Sequence, residues 1–277
     1  MNEEPGFAMG IPPVAVSYGA QLDSLMTLLH VVMVAIFVIW GVYLAYCLWA
    51  YRARPGGRAV YHTAGERASF IPDALVLAFE VWLILAFGIP IWANLKQEVP
   101  PVGESLQIRL VAQQFAWNFQ YAGPDGTFGR RDVALISASN AIGLDDKDPA
   151  AKDDVLSINN LHVPVGKPFT LLMTSKDVIH DFQVTNFRNK QDIVPGMTTT
   201  LWFEPNVIGK YEIGCAQLCG LGHTQMVGNV FVEEPADYEA WMKTQLELKL
   251  GTADASRVLE DARSQASAPG RAVRTES

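Results

Sequence analysis

The distribution of apolar and charged positions divides the chain before any motif is considered. From Leu25 to Tyr51 no residue is charged, a run long enough to cross roughly 30 Å of hydrocarbon as a helix. A second run, Ile71 to Trp92, contains Glu80 and again approaches the roughly 20 residues that a span needs. Between them Arg52, Arg54, Arg58 and Arg67 outnumber the single acid Glu66, an excess that holds a short loop on the cytoplasmic side. Both chain ends are then expected to face outward, in a bacterium on the periplasmic side of the inner membrane. No short apolar stretch with a small-residue cleavage site stands near the start, so the first run is expected to be the membrane signal itself.

Past Pro100 and Pro101 the pattern changes to short segments rich in β-branched and aromatic residues: LQIRLVAQQFAWNFQY, DVLSINNLHVPVG, PFTLLMTS, HDFQVTNF, TTTLWFEP, GKYEIGCA and GNVFVEE. Gly, Pro and Asn punctuate them, which predicts one all-β domain built as an antiparallel sandwich or barrel. Residues 123–154 are polar and include GLDDKDPAAKDD, expected to form a long surface loop with solvated acids. Beyond Leu250 the Ala-, Ser- and Arg-rich tail is expected to fray. The resulting division is an outer segment over 1–21, a two-helix hairpin over 22–96 (helices about 24–51 and 71–93, cytoplasmic loop 52–70), a β domain over 100–236, and a helix or disordered tail over 237–277.

A formal net charge of −8 excludes nucleic acid as the expected partner, because phosphate binding needs clustered Lys and Arg. Of three cysteines, Cys47 lies within the first apolar run, so only Cys215 and Cys219 can act together. They belong to Cys215-Ala-Gln-Leu-Cys219-Gly-Leu-Gly-His223-Thr-Gln-Met226, and His180 in DVIHDF precedes them on an earlier strand. Two thiolates, two imidazoles and a thioether are soft to borderline donors that favour copper over magnesium, calcium or manganese. A mononuclear blue-copper site uses His₂Cys with a weak axial Met, and here a second Cys on the same loop lets two sulfurs bridge two ions. Zinc in a Cys₂His₂ site, or a pair of structural thiols, is the competing reading, but zinc has no need of Met226.

With this loop, the two apolar runs and the β domain in view, the chain resembles subunit II of cytochrome c oxidases over almost its whole length. The resemblance implies a cupredoxin-like domain after two transmembrane helices. It implies that Cys215 and Cys219 bridge the binuclear copper centre called CuA, with one ion each on His180 and His223, Met226 axial, and Gln217 contributing its backbone carbonyl. Most relatives have Glu at the Gln217 position, where the side chain also reaches a magnesium ion; a neutral amide is a poorer magnesium ligand, so magnesium is left unassigned. AQQFAWNFQY, residues 112–121, is similar to the family's GHQWYWSYEY, with Phe115 at the position of the Trp that usually receives electrons and Trp117 matching the next Trp. Ordinary packing of these strand aromatics stands beside an electron-transfer role. FEVWLILAFGIP is similar to the family's second-helix stretch in which a Glu, here Glu80, marks the mouth of a proton channel in subunit I; the alternative is a carboxylate that reaches water or a neighbouring helix.

The same resemblance implies subunits I and III and membrane lipid as partners, heme and CuB only in subunit I, and a c-type cytochrome as donor. Residues 100–236 hold ten Lys and Arg against fifteen Asp and Glu, a net of −5 (10 − 15), which suits a basic donor. No CxxCH occurs, so no covalent heme c is expected in this chain. Two other functions compete: a quinol oxidase subunit II, which lacks the copper ligands that are all present here, and a membrane-anchored copper delivery or assembly protein. His30 and Cys47 are expected to pack within the first helix, His62 to be solvated, and His162 to pack at a strand end.

Overall fold

In a computed structural model, residues 10–57 and 66–266 are described. His62 and Arg58 of the expected cytoplasmic loop, and the outermost residues of both ends, lie outside them. The chain divides into two units, one of residues 20–98 and one of residues 1–19 with 99–277.

Among the described residues of the first unit are two long apolar helices, each long and apolar enough to cross a membrane. Helix α1 spans Gly19–Ala50. Helix α2, Glu66–Leu83, passes through one π turn, Ile84–Gly88, into α3, Ile89–Lys96. Nearly every large side chain of these helices is exposed, Phe37, Trp40 and Leu85 among them, as lipid-facing helices require.

Among the described residues of the second unit, ten strands form two five-stranded sheets, in the orders β3-β2-β1-β5-β8 and β4-β10-β9-β6-β7. Their spans are β1 Leu106–Gln113, β2 Ala116–Tyr121, β3 Val155–Ile158, β4 Asn160–Pro164, β5 Phe169–Ser175, β6 His180–Val184, β7 Asn189–Ile193, β8 Thr199–Phe203, β9 Gly209–Cys215 and β10 Val227–Glu233. The sandwich is mixed rather than antiparallel, because β1 pairs with β5 and β10 with β4 in parallel. These pairs arise where the chain leaves one sheet for the other. Between β3 and β4 the switch occurs at Asn159, whose φ of 59° is a left-handed conformation that Asn tolerates better than most residues. Its backbone amide donates to Trp117 O at 2.8 Å and its side-chain oxygen accepts from Trp117 N at 2.8 Å, so the bend is tied to β2.

The inner faces carry a continuous aromatic core. Trp117 and Phe119 of β2 meet Phe182 of β6 edge to face, and Phe182 leads through Phe203 to Phe169 and Phe187. All six are fully buried. Asn118 and Gln120 on the other face of β2 are buried as well, because the long loop after β2 folds over that face. The loop therefore does not hold only solvated acids: Asp153 and Asp154 are buried, with Asp154 Oδ2 accepting from Gln120 Nε2 at 2.6 Å and Gly129 N at 2.9 Å. Lys249, from the helix that follows β10, donates to the carbonyls of Ala151 and Asp154.

Before α1, residues 12–18 lie on the sandwich: Ala15 N donates to Asn186 O, Ser17 N to Glu204 O, and Asn206 N to Ala15 O. After β10, α4 spans Pro235–Leu250 and α5 spans Thr252–Ala266. The tail expected to fray is thus helical to Ala266, held by Ala255 and Leu259 against the core. Helix α4 docks through Trp241, which stacks on the His162 ring at 4.2 Å, with Phe231 on the other face of that ring at 4.6 Å.

Burial holds the His162 imidazole below its ordinary pKa, and Glu233, hydrogen-bonded at 3.1 Å, only partly counters this. Below about pH 6.5 the unfolded chain consequently binds this proton more readily than the folded one. The stability contributed by neutral His162 is complete above that value and is lost as pH falls through it toward the folded pKa. Thermal unfolding between about pH 7.5 and pH 5 is expected to show a falling midpoint that His162→Gln partly flattens.

Candidate metal centre

Strand pairing assembles the site. β6 and β9 are antiparallel with Phe182 opposite Cys215, and Ala216 N donates to Asp181 O at 3.0 Å. This register brings His180, the first residue of β6, beside the chain as it leaves β9. The loop from Cys215 then turns at Gly220, whose φ of 136° a side chain would oppose, and closes in a short 3-10 turn at His223–Gln225 before Met226.

Cys215 Sγ and Cys219 Sγ are 3.7 Å apart, well beyond the roughly 2.05 Å of a disulfide, and both cysteines are free. Each sulfur faces its own imidazole: Cys215 Sγ lies 3.9 Å from His180 Nδ1, and Cys219 Sγ 3.5 Å from His223 Nδ1. Met226 Sδ is 3.8 Å from Cys219 Sγ, and the Gln217 carbonyl oxygen is 3.2 Å from Cys215 Sγ. The donor atoms of His180, Cys215 and Cys219 all lie within 4.8 Å of one another. His180 and Met226 are fully buried and Cys219 nearly so. Burial, followed by the neighbouring Cys215 thiol, pushes the Cys219 thiol up to about 11. Without a metal the Cys219 thiol is thus held protonated, and a soft cation would displace that proton. Sulfur and imidazole donors converging on one point, with one imidazole per sulfur, fit such a cation.

His180 is oriented from behind. Its Nε2 lies 2.9 Å from Asp177 Oδ1. A carboxylate only accepts, so Nε2 carries the proton and Nδ1 presents its lone pair toward Cys215. Burial alone would raise the Asp177 carboxyl, but hydrogen bonds from the Gln114 amide, the His180 ring and the Val178 amide together hold it below the usual value. Asp177 is the residue that motif reading passed over; its only sequence signal is a position three residues before His180.

The other residues singled out from the sequence lie as follows. Phe115 sits in the β1–β2 turn, 37% exposed, with its ring against Gly220 and Gly222 of the loop. Trp117 is fully buried, its ring 6.3 Å from that of His180. The Gln217 side chain is exposed. Glu80 is exposed on α2. His162 belongs to the α4 contact, and His30 bonds Met26 O within α1 at 2.7 Å. Neither is among the residues gathered at the sulfurs.

Two apolar helices followed by a β-sandwich with a sulfur and imidazole site at one end define a membrane-anchored domain of cupredoxin type. Residues 106–233 match the family model described as cytochrome C oxidase subunit II, periplasmic domain. The alternative cytochrome c oxidase subunit 2 of Bradyrhizobium diazoefficiens is 35% identical over 234 residues, covering 84% of this chain and 83% of that protein. The cytochrome c oxidase subunit 2 of Cereibacter sphaeroides is 27% identical over 273 residues, covering 92% and 85%. Among solved structures, the periplasmic domain of subunit II of cytochrome oxidase of Bradyrhizobium japonicum superposes with a TM-score of 0.39 at 24% identity, covering 52% of this chain and 95% of that one. The chain belongs to the cytochrome c oxidase subunit II family.

Proposed function

We propose that this chain receives electrons from a c-type cytochrome at a binuclear copper centre and passes them to heme in subunit I of a respiratory oxidase, where oxygen is reduced to water with proton pumping. The observation that carries the reading is the pairing of each cysteine sulfur with its own imidazole, at 3.9 Å and 3.5 Å, around sulfurs 3.7 Å apart. That arrangement supplies two half-sites, each with one sulfur and one imidazole, where a zinc site would need one tetrahedral set. Cys215 and Cys219 would be shared between the half-sites, His180 and His223 would terminate one each, and Met226 and the Gln217 carbonyl would complete them. A copper pair held there supplies a one-electron relay.

The protein's own residues set the conditions for that relay. Rigid strands β6 and β9 fix the donor positions, the buried flank of His180 excludes water, and Asp177 holds the imidazole in one tautomer. Phe115, lying over the loop at the surface, is what a docked donor would meet first, whereas Trp117 is enclosed. The acidic balance of residues 100–236 suits attraction of a basic cytochrome. Attachment of residues 12–18 to the sandwich supports an even number of crossings between them, with both ends on the outer side. Glu80, a carboxylate on a lipid-spanning helix, would face subunit I at the mouth of its proton channel.

The test is reconstitution of the full chain in detergent with copper. The expected result is two copper ions per chain and an EPR hyperfine pattern of one electron shared equally between two copper nuclei. A single-copper pattern, or no copper, would replace this reading with that of a delivery or structural protein.

A further inference from the structure

The two halves of the site come from distant parts of the chain: His180 from the start of β6, and Cys215 to Met226 from the loop after β9. The β6–β9 pairing is short, Phe182 with Cys215 and Gln183 with Gly214, and is followed by the bond from Ala216 N to Asp181 O. A separate connection exists at the β1–β2 turn. Gln114 N donates to Asp177 Oδ2 at 2.7 Å, and the side chain of the same residue donates through Nε2 to Cys219 O at 2.5 Å. Asp177 in turn accepts from His180 Nε2 at 2.9 Å through its other oxygen. One residue therefore closes a chain from the Cys219 carbonyl through Gln114 and Asp177 to the far nitrogen of His180.

The turn is seated on the loop by shape as well. A Cβ placed on Gly220 would stand 2.7 Å from Gln114 Nε2, and one placed on Gly222 would stand 2.8 Å or less from atoms of the Phe115 ring. Only glycine at these two positions lets the turn approach so closely. Asp177 does not depend on Gln114 alone, since Oδ1 also accepts from Val178 N at 2.7 Å, so its position survives loss of the Gln114 side chain. The Cys219 carbonyl accepts from Gln114 Nε2, with no second hydrogen bond to it among the described residues, so the loop side is where the effect of that loss falls.

We infer that Gln114 is a positioning residue of the metal centre: its backbone amide and its side-chain amide together lock the His180 half of the site to the Cys215–Met226 loop. The copper-dependent part of this inference rests on the function proposed above; the locking itself does not. Gln114→Leu removes the side-chain donor and leaves the backbone amide in place. Gln114→Glu, which keeps the size but puts an acceptor against the Cys219 carbonyl, serves if the leucine variant folds poorly.

The experiment has two arms on the full chain in detergent. In the copper-free chain, hydrogen exchange of the amides of residues 215–226 is expected to rise about fivefold in the variant, the effect of one lost hydrogen bond, while exchange in β2 and β5 is unchanged. In the copper-loaded chain, the variant is expected to keep both ions but to show an altered hyperfine splitting and a shifted midpoint potential, which a merely structural contact would not change. Unchanged exchange in both variants would overturn the inference whatever metal is bound. A wild-type chain that takes up no copper pair would remove the proposed function while leaving the exchange result to decide the lock.

Discussion

Replacing Cys215 with serine is expected to abolish the shared-electron copper spectrum and to lower the rate at which the assembled oxidase oxidises reduced cytochrome c by about a hundredfold or more, with the β domain still folded. Serine keeps the shape but substitutes a hard oxygen that is not ionised at neutral pH, so the bridge that Cys215 would make to the second ion is lost. Loss of a residue that only supports a ligand already costs about 10–100-fold in metal affinity or activity, and a bridging ligand sets the upper end of that range as the floor. The fold should survive because Cys215 stands at the end of β9, only partly buried, and outside the aromatic core. Gln217→Ala is the contrast: its side chain is exposed and only its carbonyl oxygen faces the sulfurs, so copper content and rate should change little. Metal analysis, EPR and steady-state oxidation on the assembled complex check both variants. A Cys215→Ser oxidase with native activity would show that electrons do not pass through this site.

The long apolar helices and the cluster of His180, Cys215 and Cys219 were legible in the sequence because each rests on a local rule. A charge-free run of sufficient length has few alternatives to a membrane span, and two Cys, a His and a Met within one loop have few alternatives to a soft-metal site. What escaped depended on contacts between distant residues. NKQDI gives no apolar alternation, yet β7 forms there because β6 supplies a full antiparallel partner from His180 to Val184. DVLSINNLHVPVG reads as one strand and becomes two in different sheets, since Asn159 adopts a left-handed bend tied to Trp117. The acids at 153 and 154 read as solvated but are enclosed by the loop that carries them, where Gln120 and the amide of Gly129 replace water. Asp177 carries no motif, and Gln114, although it lies in AQQFAWNFQY, shows no sign of its partners there; only the fold brings them to His180 and Cys219.

Trp117→Ala is expected to destabilise the β domain by about 3–5 kcal/mol and to lower copper retention with it. The side chain is fully buried, stands edge to face on Phe182 with ring centroids 5.5 Å apart, and borders the His180 ring. Truncation leaves a cavity between the two sheets next to a proposed ligand, and the walls of a close-packed core close such a cavity only partly. Trp117→Phe is a sharper probe, because the indole Nε1 is buried without a hydrogen-bond partner and its removal sacrifices no bond. This variant leaves a smaller cavity than alanine does, so it should lose about 1–2 kcal/mol, less than the alanine variant, and should keep its copper. Urea unfolding of the domain in the detergent-held chain, read beside copper content and electron-transfer rate, separates packing from conduction. Stability and transfer falling together in the alanine variant, with both retained in the phenylalanine variant, is the expected result and marks Trp117 as the support of the His180 wall. A phenylalanine variant that is stable and copper-loaded but slow in transfer would instead assign the indole a direct part in carrying the electron, leaving Phe115 as surface cover alone.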